Sequence, residues 1–268
     1  MAGDGSDEYG DQFELETFFR RVLSVTEPRL RRRQVERHFT TVDAETVAAH
    51  LQQTLELSVA GDSRANELLF SVGEFVHTVA APEALALEAV DLVARRNDQH
   101  GVAWFLMDPP PARVIEDRAL ARMASQSQSL GHRRSAAAQA DPRALERLLL
   151  DDHPMVIERL CQNPRVLETH VMTIVTRRPT LPVLIATVAA HPKWFRNPRV
   201  REGIVNNPYG PTGLALRALP TLTHSQWAAI RHASQVHATV RGFAEYLCNV
   251  REGRTDGPSP SDLAEPLH

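Results

Sequence analysis

The residues of this chain with types suited to acid–base, metal or anion chemistry are its twelve histidines, a pair of adjacent aspartates and a large set of arginines. His232 and His237 lie five apart, so they do not share one helical face as a metal-binding pair would, and no HExxH occurs. Asp151 and Asp152 stand beside His153, the residue types of an acid–base cluster. Adjacent side chains point in different directions, however, and acids just ahead of Pro154 suit a helix start, whose dipole they complement. Glycines at 3, 5 and 10 have neither an apolar strand before them nor a helix start after them, which removes a dinucleotide fingerprint. Neither a Walker phosphate loop nor a GxSxG elbow is present. The expectation is therefore no catalytic residues, no cofactor and no metal. An unfamiliar enzyme would need a deep pocket in which folding alone assembles carboxylate or histidine pairs.

The cations are arginines, with Lys193 the single lysine. Arg29, Arg31, Arg32, Arg33 and Arg37 crowd one N-terminal helix. Between residues 142 and 201 ten cations face five acids, although the whole chain carries a formal charge of only -3. Near neutrality gives no global attraction to nucleic acid or acidic membranes, so any such binding must come from a local patch. Arg177, Arg178, Arg196, Arg199 and Arg201, joined by Trp194 in a loop-like stretch with Phe195, form the candidate partner-binding set. They act together only if the fold brings them onto one concave surface; the alternative is solvated arginines on several faces.

What positions these residues is helix. In 268 residues with 43% hydrophobic and 6% aromatic content and 13 glycines, composition favours an all-α protein with a real core. Apolar spacings of three and four run nearly throughout. The spacing predicts helices near 12–24, 28–38, 43–58, 62–79 and 82–97, with Asp43 and Asp62 as N-caps and Pro28 and Pro82 in first turns. A short apolar helix, Val102 to Met107, then meets Pro109-Pro110-Pro111, where no helix can continue. The expected organisation is a polar, acidic, disordered tail over 1–11 and an N-terminal helical block over 12–108. A linker follows over 109–134 with one short helix around Arg113 to Met123, then a repeat domain over 135–250 and a disordered tail over 251–268. Cys161 and Cys248 are isolated, the N-terminus lacks a secretory pattern, and no window approaches a membrane span. The expected address is the cytoplasm, with no membrane.

The repeat domain is punctuated by X-Pro pairs: Asp141-Pro142, His153-Pro154, Asn163-Pro164, Arg178-Pro179, His191-Pro192, Asn197-Pro198 and Asn207-Pro208. Each is read as ending one short helix and opening the next. Glu158 to Pro164 (ERLCQNP) aligns with Glu202 to Pro208 (EGIVNNP) at a spacing of 44, and Asn163-Pro-Arg-Val166 recurs as Asn197-Pro-Arg-Val200 at a spacing of 34. Short helices with one apolar stripe each must stack to cover it.

The stretches DPRALERLLLDD (141–152), HPMVIERLCQNPRV (153–166), THVMTIVTRRPTLPVL (169–184) and HPKWFRNPRVREGIVNNPYGPTGLALRALP (191–220) resemble a family of bacterial helical-repeat proteins without an assigned activity. That family is itself similar to HEAT, armadillo and leucine-rich-repeat-variant arrays. The resemblance spans about residues 141–250 and implies a right-handed α-α superhelix; it supplies no reaction and no site residue. The function expected is a non-catalytic protein-interaction scaffold holding an acidic or helical partner segment. The alternative is a nucleic-acid-binding HEAT-like superhelix with a basic concave face.

Overall fold

The computed structural model describes residues 5–78, 81–115, 128–139, 142–254 and 257–263. Among these residues the chain is all helical, without strands. The first half contains α1 (Gly5–Leu23), α2 (Pro28–Thr41), α3 (Ala44–Ala60), α4 (Ser63–Thr78), α5 (Ala81–Arg96) and α6 (His100–Leu106). Their limits follow local chemistry. Asp43 accepts the Thr46 backbone N–H at 2.9 Å and Asp62 that of Arg64 at 2.7 Å, capping the starts of α3 and α4. Gly61, at φ +100°, ends α3 in the left-handed conformation that glycine alone adopts without strain. Inward faces at three-four spacing, such as Val47, Leu51 and Leu55 on α3 and Ala65, Leu68, Val72 and Phe75 on α4, meet in a buried core.

The second half is built of shorter pieces: α7 (Leu130–Gln139), α8 (Pro142–Leu148), α9 (Pro154–Cys161), α10 (Glu168–Thr176), α11 (Pro182–Ala189), α12 (Pro192–Phe195), α13 (Pro198–Val205), α14 (Thr212–Ala218), α15 (His224–Ile230) and α16 (Ala238–Arg251). Single 3-10 turns follow α14 and α16, at Leu219–Thr221 and Pro260–Leu263. Neighbours cover one another's stripes in order: α9 packs on α7 and α11, α13 on α10 and α14. Gly203 allows the α10–α13 approach, since a Cβ there would meet Val175 Cγ2 at 2.9 Å and Met172 Cε at 3.2 Å.

The two sequence repeats have different meanings. Asn163 and Asn207, 44 apart, are both buried, and each sends its amide back to the end of an earlier helix. Asn163 Nδ2 donates to Ala137 O at 2.9 Å; Asn207 Nδ2 donates to Val175 O at 2.7 Å and Arg177 O at 3.0 Å. Each also accepts the backbone N–H two residues on. This is a shared tertiary device, satisfying carbonyls that a helix C-terminus leaves open. Asn197, 34 residues after Asn163, repeats only the local turn: it caps α13 through the Arg199 N–H at 3.0 Å, while its amide goes to Glu168. Asn163-Pro164 and Asn207-Pro208 therefore do not open helices as expected. The next helices start at Glu168 and Thr212, because the Asn turns hold the intervening residues outside helical geometry.

The halves share one buried core. The α14 helix packs on α4 and α6, and α16 on α3 and α6. Ser58 Oγ donates to Pro220 O at 3.2 Å, Arg251 Nη1 to Val59 O at 2.7 Å, and Gln52 Nε2 to Tyr246 Oη at 3.2 Å. The chain after α6 runs along the second half, with Arg113 N donating to Pro208 O and Pro110 O accepting from Thr212, both at 2.9 Å.

Three expected boundaries shift. The helix α1 begins at Gly5 rather than after residue 11. The helix α7 crosses the expected 134/135 boundary. Residues 257–263, placed in a disordered tail, lie against α6 and α16, where Pro258 O accepts the Trp104 indole N–H at 3.3 Å and Pro260 is buried. The short helix expected around Arg113 to Met123 falls, beyond Ile115, outside the described residues.

Candidate functional site

The expected partner-binding set divides among three places. Arg177 is half-buried in an ion pair with Asp152. Arg178 and Arg199 are exposed and share a shallow depression between α10 and α13 with Glu202 and Asn206; Arg199 pairs with Glu168 at 2.9 Å. Arg196 and Arg201 turn toward the first half. Arg196 pairs with Glu67 of α4 at 2.7 Å, and Glu67 also pairs with Arg31 of α2. Arg201 is buried with its guanidinium 4.2 Å from the centre of the Phe70 ring, and it donates to Arg196 O at 2.8 Å. Burial pushes its pKa down to about 10. Trp194, expected as a half-exposed contact, is buried at 3% exposure, and its indole N–H donates to Cys161 O at 3.0 Å. The single turn of α12 turns both Trp194 and Phe195 inward, and Phe195 meets Phe70 edge-on at 5.8 Å. Packing between the halves thus employs Phe195, Arg196 and Arg201, and Trp194 bonds within the second half; the set does not form a common concave stripe.

The same junction leaves a cleft of about 400 Å³. One wall is α2 with its N-cap Glu27 and α4, contributing Glu27, Arg29, Arg32, Gly73, Glu74 and His77; the other is formed by α11, α12 and α14 with Ala190 between them, contributing Ala189, Ala190, Pro192, Phe195 and Leu214. The sequence places Arg29 and Arg32 one turn apart on α2, and Glu74 and His77 one turn apart on α4, so each pair shares a helix face. Burial raises the Glu74 pKa, opposed by the positive charges of Arg196 and Arg31. Burial lowers that of His77, with Arg217 adding to the effect. The cleft therefore sets two guanidinium groups beside the Glu27 carboxyl at its α2 wall, a carboxyl and an imidazole that burial moves toward neutrality on α4, and an apolar opposite wall. Such a surface offers a ligand both charged hydrogen-bonding groups and apolar area.

Sequence reasoning singled out the arginine-rich helix α2 but not its cleft. The spacing of Arg29 and Arg32 was the available signal; Glu74 and His77 carried none, since only the fold sets α4 across a common space from α11, α12 and α14.

Other candidate residues are occupied structurally. Asp151 pairs with Arg133 and accepts the His153 N–H at 2.9 Å. The imidazoles of His153 and His237 cap α9 and α16, and His232 accepts from Arg231 at 3.1 Å. Among the described residues no group of three or more His, Cys, Asp or Glu side chains is arranged to hold a metal ion, and no helix is long and apolar enough to cross a membrane. Comparison of the chain with protein-family models, with curated proteins and with solved structures finds no match.

Proposed function

We propose that this protein is a non-catalytic interaction scaffold: a HEAT-like, right-handed α-α superhelix in its second half, braced by the N-terminal helical block, holds a protein partner in the cleft between them. The observation that carries this reading is the cleft itself, whose walls come from both halves and combine guanidinium groups with apolar surface. The spacing-44 asparagine device, in which successive units tie to earlier helix ends, supports the repeat architecture. The cysteines, unpaired and buried in separate helices, suit a reducing compartment such as the cytoplasm. A nucleic-acid-binding role draws less support, because Arg177, Arg196 and Arg199 are matched to carboxylates and Arg201 is buried.

The test places a bulky side chain in the cleft without touching the core. Ala190 is exposed and lines the cleft, so Ala190→Trp narrows it. Full-length protein carrying a photo-crosslinking residue at Pro192 should capture discrete protein segments from nuclease-treated lysate, and Ala190→Trp should abolish their capture. Identical capture by both proteins, or capture of nucleic acid alone, would sink the scaffold reading of this cleft.

A further inference from the structure

Five arginines crowd α2, and the fold separates them by face. Arg31 is buried against Glu67, and Arg32 lines the cleft. Arg29, Arg33 and Arg37 are exposed. Their spacing of four residues sets them in a row on one face, about 6 Å apart along the helix axis. None of the three has an ion pair among the described residues. Arg21, also exposed, ends α1, which packs on α2, and its charge reaches His38 of α2. Two acids of α2 and its cap stand against these four cations. Glu27 turns its carboxylate onto the Leu30 N–H at 2.8 Å, and Glu36 is half-buried. The acids of the neighbouring helices serve other contacts: Glu16 of α1 pairs with Arg64, Glu14 lies two turns from Arg21, Glu67 of α4 pairs with Arg31, and Glu74 lines the cleft.

We infer that the Arg29–Arg33–Arg37 face of α2 is a contact site for the phosphate backbone of a nucleic acid. This goes beyond the scaffold reading and uses none of the paired or buried arginines of the second half. Like charges one turn apart work against the helix that carries them, and a row of phosphates relieves that repulsion. The guanidinium fork meets phosphate oxygens with parallel N–H···O bonds, and each phosphate so neutralised releases condensed counterions. Two other polyanions fit less well. An acidic protein segment draws most of its affinity from apolar anchors seated in pockets, and the one large apolar side chain exposed on α2 is Leu30, at 49%. A membrane-surface helix buries a broad apolar face in the lipid, whereas α2 commits Val35 and Phe39 to the core. Evenly spaced charge with little apolar surface suits a contact that positions a backbone without reading its sequence.

The experiment uses full-length protein and fluorescence anisotropy with a labelled short DNA duplex of mixed sequence. The expected result is saturable binding whose log K falls against log salt with a slope of about −3, a loss of about sixtyfold between about 50 and 200 mM salt. Arg33→Gln/Arg37→Gln removes two members of the row that lie away from the cleft. It should lower affinity at least about tenfold at the lower salt and make the slope shallower by about two. Arg178→Gln/Arg199→Gln, the same charge change on the second half, should leave both unchanged, as should Ala190→Trp, which narrows only the cleft. Circular dichroism confirms that each variant is folded. No binding at the lower salt, a slope shallower than about −1, or full binding by the Arg33→Gln/Arg37→Gln variant overturns the inference. So does equal displacement of the duplex by poly-glutamate of matched charge, which would mark a site for acidic protein, or tighter binding to phosphatidylglycerol vesicles than to the duplex. Loss of duplex binding in Ala190→Trp would put the DNA in the cleft and also overturns it. Protein capture at the cleft tests the scaffold reading by itself, so either conclusion can fall while the other stands.

Discussion

The two halves of the molecule bury polar groups for opposite reasons. In the N-terminal block, helices α1 to α5 run for 14 to 19 residues, long enough for apolar stripes to hold them. The notable polar feature there is a histidine pair: His38 stacks on Phe18 at a centroid distance of 3.7 Å, and its Nε2 lies 3.2 Å from Nδ1 of His50. In the second half, helices α8 to α15 have four to nine residues, too few turns for a stripe alone to fix their ends. Buried polar side chains there tie helix termini: Asn163 and Asn207 reach back to earlier carbonyls, Trp194 to Cys161 O, and Trp227 to Leu219 O at 2.8 Å. Short helices need anchored ends, while long ones tolerate buried groups that contribute little to their limits.

This contrast can be broken by substitution. The largest effect is expected at Asn207→Ala, which leaves the Val175 and Arg177 carbonyls and the Tyr209 N–H without their side-chain partner. Urea unfolding should show a loss of about 3 kcal/mol, with a comparable loss at Asn163→Ala if the two positions are equivalent. A negligible change at either would dissolve the shared device.

The histidine pair gives the next effect and tests the N-terminal block. Burial, then the positive charges of His50 and Arg21, push His38 from 6.5 down to about 3. The unfolded chain takes up this proton as pH falls through 6.5, whereas the folded chain does not until about 3. The unfolded state thus binds more protons in that window, and stability, complete above it, declines as pH falls through it. Between pH 7 and pH 5 the loss should be about 2 kcal/mol, and His38→Gln should flatten most of that slope. An unchanged slope in the variant would assign the pH response elsewhere.

Smaller effects sharpen the same comparison. Trp194→Phe retains most of the ring but leaves the Cys161 carbonyl unpaired, and should cost about 1–2 kcal/mol in thermal or chemical unfolding. Arg199→Ala removes an exposed pair with Glu168 and should change stability by about 0.5 kcal/mol or less. A larger change there would show that surface charges, not buried ends, hold α10 to α13.

Most helices were legible because apolar periodicity and caps are local properties: Asp43, Asp62 and Pro28 lie where their types predict. Trp104 and Trp227, which lie within apolar helical patterns, are buried. Trp194 was misjudged because a helix of one turn, α12, leaves no periodic trace from which to read its inward face. The asparagine turns were mistaken for helix starts because proline marks both; what distinguishes them is the distant carbonyl the amide reaches. The cleft was least legible of all. It draws on α2, α4, α11, α12 and α14, and nothing within any one segment announces that they meet.

A stack of helical units ordinarily ends in a specialised unit with a polar outer face, which shields the last apolar surface from water. Here α14 and α16 close onto α3, α4 and α6, so on the repeat architecture proposed above the N-terminal block would take the place of that terminal unit. Such an array could not lengthen on that side by duplication, nor fray from it one unit at a time. Its unfolding should therefore begin at the remote edge, around α7 to α9, and a fragment cut to the repeats alone would expose the surface that the block now covers.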